Sequence, residues 1–243
     1  MILVFWKTVP QRSIIKNLNI MKMKFVFAAV FFITIFSSCK KNKEESGVTY
    51  QLRTTNRNAD VSSQSGTTGG TANRTNGTIT WTSGFASTTS IDFEAENNNS
   101  EFEYSTQVQK KIDLFASLST IGNVNVPAGT YEEVEFDIEL APNGADAALE
   151  LRGTYNGTPI VYRNNSAMEI EVEGNNVVIG QNNGYNAIIN WDLSLMSQGV
   201  TSVALAAATI TNGEIVISAT SNTVLYNLLT ANLLLMASVD FED

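Results

Sequence analysis

The chain has no histidine and a single cysteine among its 243 residues. Without imidazole, Ser-His-Asp and Cys-His catalysis are excluded. A zinc centre of imidazole and thiolate ligands is excluded with them, because one thiol cannot build it. One thiol cannot close an internal disulfide either, so stability has to come from a packed core, for which 43% apolar residues are ample. A phosphate-cradling glycine motif is missing too: Thr68-Gly69-Gly70-Thr71 has neither the Gly-Lys-Ser/Thr ending nor a flanking strand and helix. Basic residues are few, 15 against 24 acidic ones. Such an excess of acid repels phosphate and argues against a nucleic-acid partner.

Phe25 to Phe36, FVFAAVFFITIF, is twelve residues without a charge. That is short for a membrane span of about 20 residues and suits the h-region of a secretory signal. Lys22 and Lys24 supply a positive n-region, and Met21 and Met23 beside them mark alternative starts. Residues 1–20 are therefore read as an over-extension of the start, and residues 21–38 as the signal peptide. Phe36-Ser37-Ser38-Cys39 follows. It resembles the lipobox of bacterial lipoproteins, whose cysteine is acylated and becomes the first mature residue, although Phe36 stands where such boxes usually carry an aliphatic side chain. The resemblance implies lipidation at Cys39 with more acyl chains than stable anchoring needs, at about 0.8 kcal/mol per buried CH₂. The membrane partner is then reached through lipid, and the implied address is the outer membrane, on its surface or periplasmic side.

Residues 1–38 hold five bases and no acid, so the chain from Cys39 onward carries ten bases against 24 acids, a net charge of −14. Residues 39–47 read as a lipidated, solvated tether, since Lys40 to Gly47 contains no apolar side chain. Within it, Lys43-Glu44-Glu45 loosely resembles the charged stretch that sends some lipoproteins to the cell surface. Residues 48–243 read as one domain. Its composition predicts a disordered insert over 57–77, built almost entirely from Ser, Thr, Gly, Asn, Arg and Asp.

Alternation of apolar and polar residues predicts strands over Val48 to Thr54, Ile79 to Thr82, Ile91 to Glu96, Phe102 to Tyr104, Tyr131 to Leu140, Met168 to Val172, Ile188 to Leu195 and Ile215 to Ser218. Asn97 to Ser100 predicts a tight hairpin, and Val126-Pro127-Ala128-Gly129-Thr130 another turn. A short strand is also expected within Asn175 to Gly184. Ser221-Asn222 is placed to cap a helix over Thr223 to Ala237, whose Val224, Leu225, Leu228, Leu229 and Leu235 lie at near-helical spacing. The fold class this predicts is mainly β, an antiparallel β-sandwich with a C-terminal helix over an open edge or end.

Lys111-Ile112-Asp113-Leu114-Phe115 followed by Val126-Pro127-Ala128-Gly129-Thr130-Tyr131 is similar to a pattern in bacterial lipoprotein domains of unknown function. Those domains resemble immunoglobulin-like or transthyretin-like sandwiches, so the resemblance implies the same class and brings no catalytic residue with it.

The acids form the sharpest pattern. Ile91, Phe93 and Ala95 point one way, so Asp92, Glu94 and Glu96 point the other; Phe102 and Tyr104 are expected inward, and Glu101 and Glu103 outward. A turn at Asn98-Asn99 pairs 96 with 101 and 94 with 103, setting glutamate opposite glutamate at a cost of about 0.2 to 1 kcal/mol per pair. Glu133, Glu135, Asp137 and Glu139 repeat the pattern, as do Glu169, Glu171 and Glu173. One reading is a solubilising surface spread over both sheets and answered by Lys110, Lys111, Arg152 and Arg163. The other is a weak Ca²⁺ site on Glu94, Glu96, Glu101 and Glu103, since the ligands are oxygens alone. No other cofactor is expected. Catalysis by a carboxylate pair would need a raised pKa in an apolar pocket, and an exposed acidic strand face does not supply it, so no enzyme is expected.

Trp81, Tyr155, Tyr162, Tyr185 and Trp191 are candidates for a glycan-stacking platform, against the alternative that they fill the core, with at least one tryptophan facing inward. Asn164-Asn165, Asn175-Asn176 and Asn182-Asn183 offer loop amides for hydrogen bonding, or simply form turns. The function expected is a non-catalytic binding or structural accessory lipoprotein. A carbohydrate-binding component of a glycan-uptake system and a fimbria-like or adhesin subunit are the alternatives.

Overall fold

The computed structural model describes residues 45–61, 77–98, 100–181 and 184–242. The signal segment, Cys39 and residues 62–76 of the expected insert lie outside the described residues. The insert is shorter than its composition predicts: Asn58–Val61, within it, is a strand paired with residues 77–80. The first strand also starts earlier than expected, at Glu45, so the last residues of the tether belong to the sheet.

Thirteen strands are described: β1 (Glu45–Thr55), β2 (Asn58–Val61), β3 (Gly77–Asn97), β4 (Ser100–Asp113), β5 (Ser119–Pro127), β6 (Gly129–Leu140), β7 (Leu149–Tyr155), β8 (Thr158–Asn164), β9 (Met168–Ile179), β10 (Tyr185–Asp192), β11 (Ile210–Thr211), β12 (Glu214–Ile217) and β13 (Ala237–Glu242). They form a β-sandwich of two sheets. The smaller runs β13-β10-β1-β5; the larger runs β11-β12-β8-β7-β3-β6-β9, with β2 and β4 also on β3. The sandwich is mixed and not purely antiparallel, because β1 pairs parallel to β10 and β12 parallel to β8.

β3 is the spine. Along one side it pairs with β2 and then β4; along the other with β7 and then β6. Between β6 and β7 the chain leaves the sheet over 141–148 and returns almost where it left, Leu140 opposite Thr88 and Leu149 opposite Ala86. The large sheet thus has a hairpin half (β4, β6, β9 and the second part of β3) and a helical half (β2, β7, β8, β12 and the first part of β3).

The inner face of the hairpin half packs on the four-stranded sheet. Phe136 is its centre, with ring centroids 5.0 Å from Phe93 and 5.6 Å from Tyr50. The inner face of the helical half is closed by helices α1 (Leu193–Met196), α2 (Ser202–Ala206) and α3 (Thr223–Ala231) and a 3₁₀ turn over Leu233–Leu235. Buried Tyr162 of β8 hydrogen-bonds Thr230 of α3 at 2.8 Å and stacks on Tyr226, while Leu193, Met196 and Leu205 join the same core.

The C-terminal helix stops at Ala231, short of the predicted Ala237, and a strand follows it. Asn222 precedes α3 in the left-handed region at φ +50° and makes no side-chain cap. Its amide instead donates to the carbonyls of Thr209 and Val216 at 3.0 and 2.8 Å, pinning the turn that aims the helix. The hairpin register is as predicted, Glu96 opposite Glu101 and Glu94 opposite Glu103. At the second predicted turn, between β5 and β6, the Tyr131 hydroxyl donates to the Pro127 carbonyl at 2.5 Å, which is what the Pro-x-Gly-x-Tyr spacing accomplishes. β4 is less covered than its alternation implies: Phe102 is half-buried against Phe93, and Tyr104 is exposed. No helix among the described residues is long and apolar enough to cross a membrane.

Candidate functional site

The outer face of the hairpin half brings the acids together, all on one sheet and not spread over both. Cross-strand partners align them in rows: Glu103, Glu94, Glu135, Glu173; then Asp92, Asp137, Glu171; then Glu101, Glu96, Glu133; then Glu139, Glu169. The alternation that buries Phe93, Phe136 and Val172 forces Glu94, Glu135 and Glu171 outward on neighbouring strands. No base stands in these rows. Eight acid pairs are directly opposed, two between β3 and β4, three between β3 and β6 and three between β6 and β9. Like charges so placed oppose the sheet, the less so as salt screens them.

The crowding shows in the titration. Burial, with Asp137 and Glu171 alongside, pushes the Glu135 carboxyl up to about 7. Asp137 is raised by burial and then by Asp92, against a hydrogen bond from Glu135 that lowers it, and its Oδ1 is buried without a hydrogen-bond partner. Glu101 is raised through its hydrogen bond with Glu103 and the charges of Glu103 and Glu94. A raised carboxyl was not expected on this face. The hollow over Asp92, Glu94, Glu103 and Asp137 holds about 170 Å³, below the roughly 300 Å³ at which ligand pockets begin.

Three triads have carboxylate oxygens within 4.8 Å of one another: Glu94, Glu101 and Glu103; Glu133, Glu135 and Glu173; Glu135, Asp137 and Glu171. Of the four glutamates singled out by sequence, three converge and Glu96 is not in a triad. The two triads on β6 and β9 were missed as sites because their pairing joins strands far apart in sequence. Such oxygen sets offer a hard cation such as Ca²⁺ partial coordination, fewer than the six to eight ligands it takes.

The aromatic platform is not there. Trp81, Trp191, Tyr155, Tyr162 and Tyr185 are all buried, Trp81 and Trp191 at 1% and 0% exposure, because each sits at an inward position of its strand. The asparagines divide: Asn164 is buried and accepts from Tyr226, Asn176 takes a left-handed backbone in β9, and Asn182-Asn183 lies outside the described residues.

The outer face of the helical half differs. Glu150, 8% exposed, receives Arg152 Nε on one oxygen and Arg163 Nε on the other, both at 2.7 Å. Arg152 also reaches Glu214 at 3.2 Å, and Lys111 pairs with Asp146 at 2.6 Å. No protein-family model, curated protein or solved structure matches this chain.

Proposed function

We propose that this chain is a lipid-anchored lipoprotein of a bacterial outer membrane and serves there as a non-catalytic binding or structural module. The observation that carries the reading is Phe36-Ser37-Ser38-Cys39, set behind an apolar h-region and six residues ahead of the first strand. A short polar spacer between lipid and sandwich suits a tether and little else. β1 begins beside the β5–β6 turn, at the acidic end of the sandwich, and runs toward the helical half. Non-catalytic action fits the acidic rows, where the raised carboxyl of Glu135 comes first from burial and then from the like charges of Asp137 and Glu171.

An adhesin-type subunit that exchanges strands needs an open sheet edge. Here Lys110 Nζ of β4 donates to the Thr120 carbonyl of β5 at 2.6 Å, and Phe241 of β13 sits over Gly174 of β9, so side chains bridge the two sheets at both flanks, while β4, β5, β9 and β13 each keep one edge unpaired among the described residues. Palmitate labelling of the expressed chain tests the anchor: label is incorporated, and Cys39→Ala abolishes it. Unchanged labelling in that variant would refute the lipoprotein reading.

A further inference from the structure

We infer that the outer face of the large sheet carries, at the seam where the end of β4 and the start of β7 flank β3, a binding site for a neutral, hydroxyl-rich ligand, a saccharide, in a pocket of about 510 Å³ lined by Ser83, Phe85, Lys111, Asp113, Glu150 and Arg152. The inference rests on the binding-module reading and gives it a ligand class.

The pocket forms where β3 is irregular. A register shift between Trp81 and Ser83 displaces the strand, and Gly84 then lies against β7 so closely that a Cβ there would meet the Glu150 carbonyl at 2.6 Å. Its size falls within the range of small-molecule sites, about 300 to 1,000 Å³. The polar groups are fixed before any ligand arrives. Glu150 is buried and held through both oxygens by two arginines, and Arg152 is held through Nε by Glu150 and through Nη1 by Glu214. Among the described residues, Arg152 Nη2 has no protein partner and is left to donate. Lys111 is held by Asp146, with its Nζ 3.8 Å from the centre of the Phe85 ring. Asp113 accepts from the Phe115 amide through Oδ1.

The charges select the ligand class. Lys111 and Arg152 balance Asp113 and Glu150 within the lining, and each cation already has a carboxylate partner, so the pocket asks for no counter-ion. An anion would also face the field of a chain carrying −14 from Cys39 onward. What remains is a rigid set of donors and acceptors side by side around an aromatic ring. A hydroxyl both donates and accepts, so vicinal hydroxyls satisfy a guanidinium and a carboxylate together, while sugar C–H faces pack on the ring.

The test is saturation-transfer NMR on the full chain in detergent, with methyl glucosides, methyl galactosides and methyl mannosides at millimolar concentration. At least one gives transfer, and its affinity falls about ten-fold or more in Arg152→Lys, which keeps the charge on Glu150 but loses the planar fork. Phe85→Ala, which leaves the ion pairs intact, gives the same loss. No transfer from any of the glycosides, transfer indifferent to both substitutions, or displacement by galacturonate or glycine ahead of the glycosides would overturn the inference. Palmitate labelling on the same preparation separates the two readings. Label without sugar binding removes the site and leaves the anchor, and sugar binding without label does the reverse.

Discussion

The two halves of one sheet face handle charge in opposite ways. In the helical half the buried carboxylate Glu150 holds two arginines, and Glu214 takes a further bond from one of them. In the hairpin half, carboxylates stand opposite carboxylates across four strands without a base in the rows. Strand alternation alone decides only that polar residues face out. Which polar residues they are sets whether the face stabilises itself or leans on salt, cations and protons from the surroundings.

The same substitution made in each half breaks the comparison most sharply. Glu150→Gln leaves Arg152 and Arg163 without their shared carboxylate and costs about 2 kcal/mol, which lowers the melting temperature by about 4 to 8 °C. Glu135→Gln has the opposite sign at pH 8 and raises the melting temperature by a few degrees. The folded chain holds the Glu135 proton up to about pH 7, whereas the unfolded chain releases it near its ordinary value of 4.5. Stability from this group is therefore full below that lower value and is lost as pH rises through the window between the two. Melting curves from pH 4 to 8 show the decline in the parent and a flatter profile in Glu135→Gln; parallel profiles would contradict the assignment.

A smaller effect separates screening from coordination. Millimolar Ca²⁺ raises the melting temperature above what sodium chloride of equal ionic strength achieves, and Glu94→Gln with Glu103→Gln removes the excess. Equal effects of the two salts would reduce the acidic rows to a solvated surface. The smallest change is expected for Asp146→Asn, whose ion pair with Lys111 is half exposed; it shifts stability by about 0.5 kcal/mol or less in denaturant titration.

The legible parts of the fold are local. The hairpin register followed from Ile91, Phe93 and Ala95 on one side of an asparagine turn and Phe102 on the other, because one residue of slip would expose the whole apolar set. The pairing of β6 with β3 and of β9 with β6 is set by the shape of the core, and no short-range signal announces it. The parallel pairing of β1 with β10 is equally silent, since 129 residues separate the two strands. β13 had a signal that was overrun: Ala237, Val239 and Phe241 alternate, but the leucine run before them extended the helical period through their start. For the site, the sequence located the glutamates of one hairpin and missed the rows. It offered tryptophans as a ligand surface where half-buried Phe85, Lys111 and Arg152 line the pocket.

The four-stranded sheet is drawn from stretches of the chain far apart in sequence. Its central strands β10 and β1 lie side by side, and β10 gains its second neighbour only from residues 237–242. A chain made only as far as residue 236 lacks that strand and leaves Phe136 without Phe241 against it. Completion of the smaller sheet thus waits on residues 237–242. Loss of the final half-dozen residues should accordingly trap a species with the large sheet's hairpin formed and one edge of β10 bare.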